Sequence, residues 1–167
     1  MPDPRPSSIW WIPYWDLKEI PQADTASSVL SAADVTFIDS DGESFYRVVR
    51  PESTKSGDVE FDGAADIFKA IKSTCGVNPK NISDDQKADC PEILVGNTNR
   101  PESAKGLELL LEQTHGYYTE YIICTIGDDI VINAFSDEAL KEAVKYFVDN
   151  YISTETITGG INYCFSD

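Results

Sequence analysis

The order of hydrophobic patterns along this 167-residue chain predicts an α/β domain (an α+β sandwich), a mixed β-sheet with helices packed on it. Three observations lead there. Apolar residues recur at helical spacing in three separate stretches, and short β-branched or aromatic runs lie between them. The runs Tyr117–Ile126 and Ile130–Phe135 are apolar on more than one face, as strands covered on both sides are. The length is that of one domain with room for a real core.

Taken in order, residues 1–34 read as a proline- and aromatic-rich arm ending in a short helix around Ala26–Ala33. Residues 35–167 read as the domain. Val35–Ile38 is expected as a strand, Asp39–Gly42 as a turn, and Ser44–Arg50 as a second strand stopped by Pro51. Ala64, Ile67, Phe68, Ile71 and Cys75 mark an amphipathic helix with Gly76 in the C-terminal cap position. Residues 76–89 are polar, carry Asn78-Pro79, and are expected as a surface loop.

The chain is organised around Pro91–Ser103, an apolar run followed by glycine, a polar turn and proline. It reads as a buried strand, a turn, and then a helix whose apolar stripe is Leu107, Leu110, Leu111 and Thr114. Gly127-Asp128-Asp129 joins the two apolar runs in a tight hairpin. Ser136-Asp137-Glu138 opens a third helix, acidic at its positive end, with Leu140, Ala143, Val144, Phe147 and Tyr151 as its buried stripe. A last strand is expected at Ile161–Phe165.

Composition narrows the function. With 29 acidic against 13 basic residues the net charge is -16, a field that repels phosphate backbones and anionic lipid. Neither nucleic acid nor membrane is expected as a partner, and no apolar run is long enough to span a bilayer. The start, Met1–Pro6, lacks a basic flank and hydrophobic core, so no signal peptide is expected. A cytoplasmic protein and a trimmed domain of a secreted one both fit. Cys75, Cys90, Cys124 and Cys164 are scattered and lack metal-ligand spacing. Four reduced thiols are expected, with a Cys75–Cys90 bridge as the alternative.

No cofactor or metal is expected, and no residue is assigned a catalytic role. His115 is the single histidine, without H-E-x-x-H or a G-x-S-x-G elbow, and at a helix end it suits capping. Carboxylate pairs for glycoside hydrolysis are unavoidable among so many acids and so carry no information. Gly96–Asn99 has one glycine and no lysine, which leaves the phosphate-loop fingerprints unmet.

Two candidate ligand-binding sets remain. Trp10, Trp11, Tyr14 and Trp15 can stack on sugar rings, or pack as a stiffened arm against protein. Asn97, Thr98, Asn99 and Arg100 lie at the carboxyl end of a buried strand, where α/β sheets bind ligands. Their structural reading is turn closure by side-chain to backbone bonds, with Arg100 paired to Glu102 or to an adjacent domain.

Glu92-Ile93-Leu94-Val95-Gly96-Asn97-Thr98-Asn99-Arg100 resembles the E-I-hydrophobic-hydrophobic-G-x-T-x-R strand and turn of the non-catalytic N-terminal domains of certain glycoside hydrolases. Those domains precede the catalytic barrel in α-glucuronidases and β-N-acetylhexosaminidases. The preceding helix ending Cys75-Gly76, the hairpin Tyr118–Ile132, and Ala143-Val144-Lys145-Tyr146-Phe147 resemble the family's elements in the same order. The match covers roughly residues 44–152, without the family's glycine turn at Ala134–Asp137 and with no counterpart for the aromatic arm. The resemblance implies a fold like hexosaminidase domain 2, similar to zincins without their metal centre. It further implies an accessory role beside an adjacent catalytic domain or a carbohydrate. A free-standing carbohydrate-binding module using the N-terminal aromatic cluster is the alternative.

Overall fold

The helices follow from where small and apolar residues recur. The computed structural model describes residues 30–166. Helix α1 (Val59–Cys75) buries Gly63, Ala64, Ile67 and Ile71 and carries Glu60 and Asp62 against its positive end. It stops at Gly76, whose left-handed backbone (φ 74°) lets its N–H reach the Lys72 carbonyl. Helix α2 (Pro101–Gln113) opens on Pro101 at its first position, where a missing N–H costs nothing. Helix α3 (Asp137–Asn150) is capped by Ser136, whose hydroxyl accepts the Ala139 N–H.

These helices cover a six-stranded sheet in the order β2-β1-β3-β5-β4-β6. The strands are β1 (Arg47–Arg50), β2 (Asn81–Ser83), β3 (Glu92–Val95), β4 (Tyr121–Ile126), β5 (Asp129–Ala134) and β6 (Asn162–Phe165). Strands β2, β1, β3 and β5 are mutually parallel, and β4 runs antiparallel to both β5 and β6. The hairpin pairs Ile126 with Asp129 and turns through Gly127-Asp128.

Alternation along the strands divides the interior in two. Val48, Ile93, Val95, Ile123, Ile130 and Ile132 face α1 and α3, where they meet Ile67, Ile71, Leu140 and Phe147. Val49, Leu94, Ile122, Cys124 and Val131 face α2 and meet Leu109 and Leu110. Ile93, Leu94, Ile130, Ile132, Leu109, Leu110 and Phe147 are fully buried, and each such side chain contributes about 1.5–3 kcal/mol. The sheet is thus covered on both faces, as the double-sided apolar runs require.

Four expectations need correction. Residues 76–89 are not wholly loop: they contain β2, an edge strand of three residues with one buried side chain, Ile82, too short for an alternation signal. Val35–Ile38 is not a strand; Val35 and Ile38 make isolated bridges to Ile157 and Ser44, while Val35 and Phe37 are buried. The stripe of α2 is Ser103, Gly106, Leu109 and Leu110, and Leu111 is 58% exposed. Its close approach to the sheet uses small residues that hydropathy overlooks: a Cβ on Gly106 would stand 2.6 Å from Val131 Cγ1. Leu30 and Ser31 are not helical but lie against the end of β4, where Leu30 bridges Ile126 and the Ser31 N–H reaches the Thr125 carbonyl. All four cysteines are free, with Cys124 buried and Cys90 exposed. No helix among the described residues is long and apolar enough to cross a membrane.

Candidate functional site

The turn after β3 is built from its own side chains. Gly96 has φ 79°, and a Cβ there would stand 2.6 Å from Glu60 Cγ, so the position needs both the left-handed backbone and the close approach. The Thr98 hydroxyl lies 2.6 Å from that of Ser103 and accepts the Arg100 N–H. Asn99 gives its backbone N–H to Asp84 Oδ2 and its side-chain amide to the Asp84 carbonyl. Asn97, which is exposed, accepts from the Asn133 side chain at 3.0 Å. All four turn residues are therefore engaged within the chain.

Arg100 pairs with Glu92, not with Glu102. Its Nε lies 2.8 Å from Glu92 Oε1 and its Nη2 3.1 Å from Oε2. The remaining donors reach the Asp84 and Gln86 carbonyls. Arg47 approaches the same carboxylate from the neighbouring strand, its Nη2 2.7 Å from Oε2. Glu92 is 1% exposed and sits between two guanidiniums, which supply the compensation a buried charge requires. The bond to Glu92 holds the Arg100 pKa above its ordinary value, against the opposing effect of burial. Beside this network Asp129 accepts the Glu92 N–H at 3.0 Å. Burial pushes its carboxyl up to about 6; the N–H bond opposes the shift, and Glu102 and Glu92 add to it.

His115 lies beyond the end of α2 and does not cap it. Thr114 occupies the cap position and its hydroxyl donates to the Leu110 carbonyl at 2.6 Å. The His115 ring stacks on Tyr117 at 5.3 Å. Its backbone N–H, like that of Tyr117, donates to the fully buried carboxylate of Glu120.

A different part of the surface carries an aromatic-lined hollow. Where β4 begins, β6 ends and α3 starts, a hollow of about 290 Å³ opens between Tyr118, Tyr121, Phe165, Ser136, Glu138 and Glu142. Tyr121 and Phe165 stack at 5.3 Å with ring planes 10° apart. Tyr118 is 71% exposed and Phe165 39%. Behind them Tyr163 stacks on Tyr146 at 4.2 Å and lies 6.1 Å from Tyr121, so the outer rings rest on a packed aromatic layer. Burial first, then Tyr163, raises the Tyr121 phenol above its ordinary value. The loop bearing Tyr118 is fixed by its carbonyl, which accepts from the Ser136 hydroxyl.

The hollow draws on residues far apart in sequence, and none of them stands among the candidate ligand-binding residues read from the sequence. Its only local signal was the adjacent pair Tyr117-Tyr118 beside a strand. Trp10, Trp11, Tyr14 and Trp15 lie outside the described residues. Among the described residues no group of three or more His, Cys, Asp or Glu is arranged to hold a metal ion. No family model matches the chain, and no curated protein is significantly similar to it in sequence.

Proposed function

We propose that the chain is a non-catalytic accessory domain of a carbohydrate-processing protein, like those preceding the barrel of α-glucuronidases and β-N-acetylhexosaminidases. Its own contribution is to hold saccharide at the hollow of Tyr118, Tyr121 and Phe165. The observation that carries this reading is an aromatic lining, with exposed Tyr118 and partly exposed Phe165 stacked on buried Tyr121, in one hollow with Glu138 and Glu142. The C–H face of a pyranose ring packs on an aromatic face, and carboxylates beside it accept hydrogen bonds from hydroxyl groups. Both requirements meet within a space of one-ring scale, on elements fixed by the sheet and the start of α3. The order of motifs from Glu92 to Phe147 supplies the accessory assignment; the family places its chemistry in the barrel, so no residue here receives a catalytic role.

The second reading, a free-standing carbohydrate-binding module, uses the same hollow in place of, or beside, the N-terminal tryptophans. An open reading frame that continues past Asp167 into a barrel-sized domain favours the accessory reading; a stop codon there favours the module.

Calorimetric titration with neutral xylo-, cello- and chito-oligosaccharides tests saccharide contact. Binding to one class, weakened roughly 3–10-fold by Tyr118→Ala and by Phe165→Ala, is expected from the worth of an aromatic contact. No binding to any of them, or binding that both substitutions leave unchanged, rejects the hollow. Turnover of aryl glycosides by the 167-residue chain alone rejects the non-catalytic assignment.

A further inference from the structure

On the sheet face away from α2, a groove of about 820 Å³ runs between α1 and α3. Its floor is Val59 and Gly63 of α1 with Val144 and Val148 of α3. The helices close together at Gly63, where a Cβ would meet Val144 Cγ2 at 3.0 Å. Val59 and Val148 are only partly buried, so the floor offers apolar surface to a further element.

The walls have one dominant sign: eight carboxylates against three lysines, of which Lys145 is already paired with Asp149 at 2.8 Å. Helix dipoles account for the acids in the first turns of α1 and α3. They do not account for Asp66 and Glu142, further along the helices, or for Asp149 in the last turn of α3, where the dipole disfavours negative charge. These acids line both sides of an apolar floor. The lining spans residues 57–69 of one wall and 137–149 of the other, a length of about 18 Å at helical rise.

We propose that this groove docks a cationic amphipathic helix of a protein partner. An apolar stripe at i, i+3, i+4 and i+7 fills the valine floor, and the Lys or Arg flanking that stripe meet the acidic walls on both sides. A groove of this length seats about twelve residues of such a helix. Its charge turns away acidic helices, nucleic acid and anionic lipid. The hollow adjoins the groove across the start of α3 and shares Glu138 and Glu142 with it, whereas Asp66 and the valine floor line the groove alone, so substitutions there test the proposal independently of saccharide binding.

The test uses two labelled peptides of identical Leu and Lys composition, one patterned at helical period and one strictly alternating, followed by fluorescence anisotropy against the full chain. The helical-period peptide is expected to bind at least roughly tenfold tighter. Val148→Asp in the floor and Asp66→Lys on the wall should each weaken it about tenfold, more than most interface positions lose on truncation. Charge reversal at Glu108 and Glu112, exposed on α2 across the sheet, should change it less than about twofold, as for a remote surface charge. Asp66 is exposed, so its replacement leaves the core untouched and still reports if Val148→Asp unfolds the chain. Failure of the helical-period peptide to bind overturns the proposal. So does equal binding of the two peptides, or an equal loss from the α2 reversals, since either outcome reports only attraction between a polyanion and a polycation.

Discussion

Arg100, immediately before α2, holds its guanidinium 2.8 Å from a carboxylate oxygen of Glu92 at the start of β3. One side chain thereby ties a helix, a strand and the loop of Asp84 and Gln86 together on the same face. Removing it leaves Glu92 buried with Arg47 as its one remaining ion-pair partner in this network. Arg100→Met is expected to cost about 3–5 kcal/mol, the usual loss when one partner of a buried pair is deleted. Arg100→Lys should recover little, because an ammonium cannot reproduce the planar fork that spans these acceptors. Urea denaturation measures both; a lysine variant within about 0.5 kcal/mol of the parent would show that the fork is not what matters.

Gly106 sets how closely α2 lies on the sheet. Alanine there gains about 1 kcal/mol of helix propensity but brings its Cβ to 2.6 Å from Val131 Cγ1. The overlap is with the core side of a central strand, so overpacking of about 1–3 kcal/mol should dominate. Gly106→Ala is expected to lower the melting temperature. Adding Val131→Ala should cost less in that background than in the parent, and strict additivity in the double-mutant cycle would refute direct overlap.

Asp129 gives stability a definite pH dependence. Its folded pKa is raised to about 6 from the ordinary 3.8, so the folded state binds the extra proton between those values. The stabilisation is complete below pH 3.8 and is lost as pH rises through about 6. Asp129→Asn, which keeps an oxygen for the Glu92 N–H, should flatten this part of the curve and raise stability near neutrality. Denaturation midpoints of parent and variant measured from pH 4 to 7 should therefore diverge toward the alkaline end; parallel curves would exclude Asp129 as the cause.

Ser136 connects stability to the hollow. Its hydroxyl accepts the Ala139 N–H at the start of α3 and donates to the Tyr118 carbonyl. Ser136→Ala should cost about 1 kcal/mol as a lost cap and also release the loop bearing Tyr118. Ser136→Gly forgoes both side-chain bonds with a smaller capping loss, so it should loosen Tyr118 with less effect on unfolding. Amide exchange across residues 117–120 alongside thermal melts separates the two effects; a loop unaltered in both variants would deny the connection.

Elements with long, regular patterns were legible in the sequence. Ile67 and Ile71, the cap at Gly76, the hairpin around Gly127-Asp128, and Leu140, Ala143, Val144 and Phe147 occupy the predicted positions. The misplaced elements each depend on a contact that pattern does not encode. Strand β2 buries one residue and is defined by pairing with β1. The phase of α2 is set by Ser103 and Gly106, whose value is their small size. The role of Arg100 depends on Glu92 returning to its side across a turn. The hollow joins Tyr118, Glu138 and Phe165 from three elements, so only the fold brings it into being.

Thr125 has a kinetic consequence. Its hydroxyl contacts the carbonyls of Ser31 and Ile161 and accepts the Ile161 N–H, while its backbone N–H reaches the Ile161 carbonyl. Segments 94 and 36 residues away in the chain therefore converge on one side chain near the end of β4. The closure over 94 residues to Ser31 incurs its loop entropy before any contact repays it, and it belongs to a later step of folding than the shorter-range pairing of β3 with β5. By the same reasoning this junction is the first part of the sheet to open. The amide of Ser31 should exchange ahead of those in β3 and β5, so the molecule opens first where the Ser31 segment meets the end of β4.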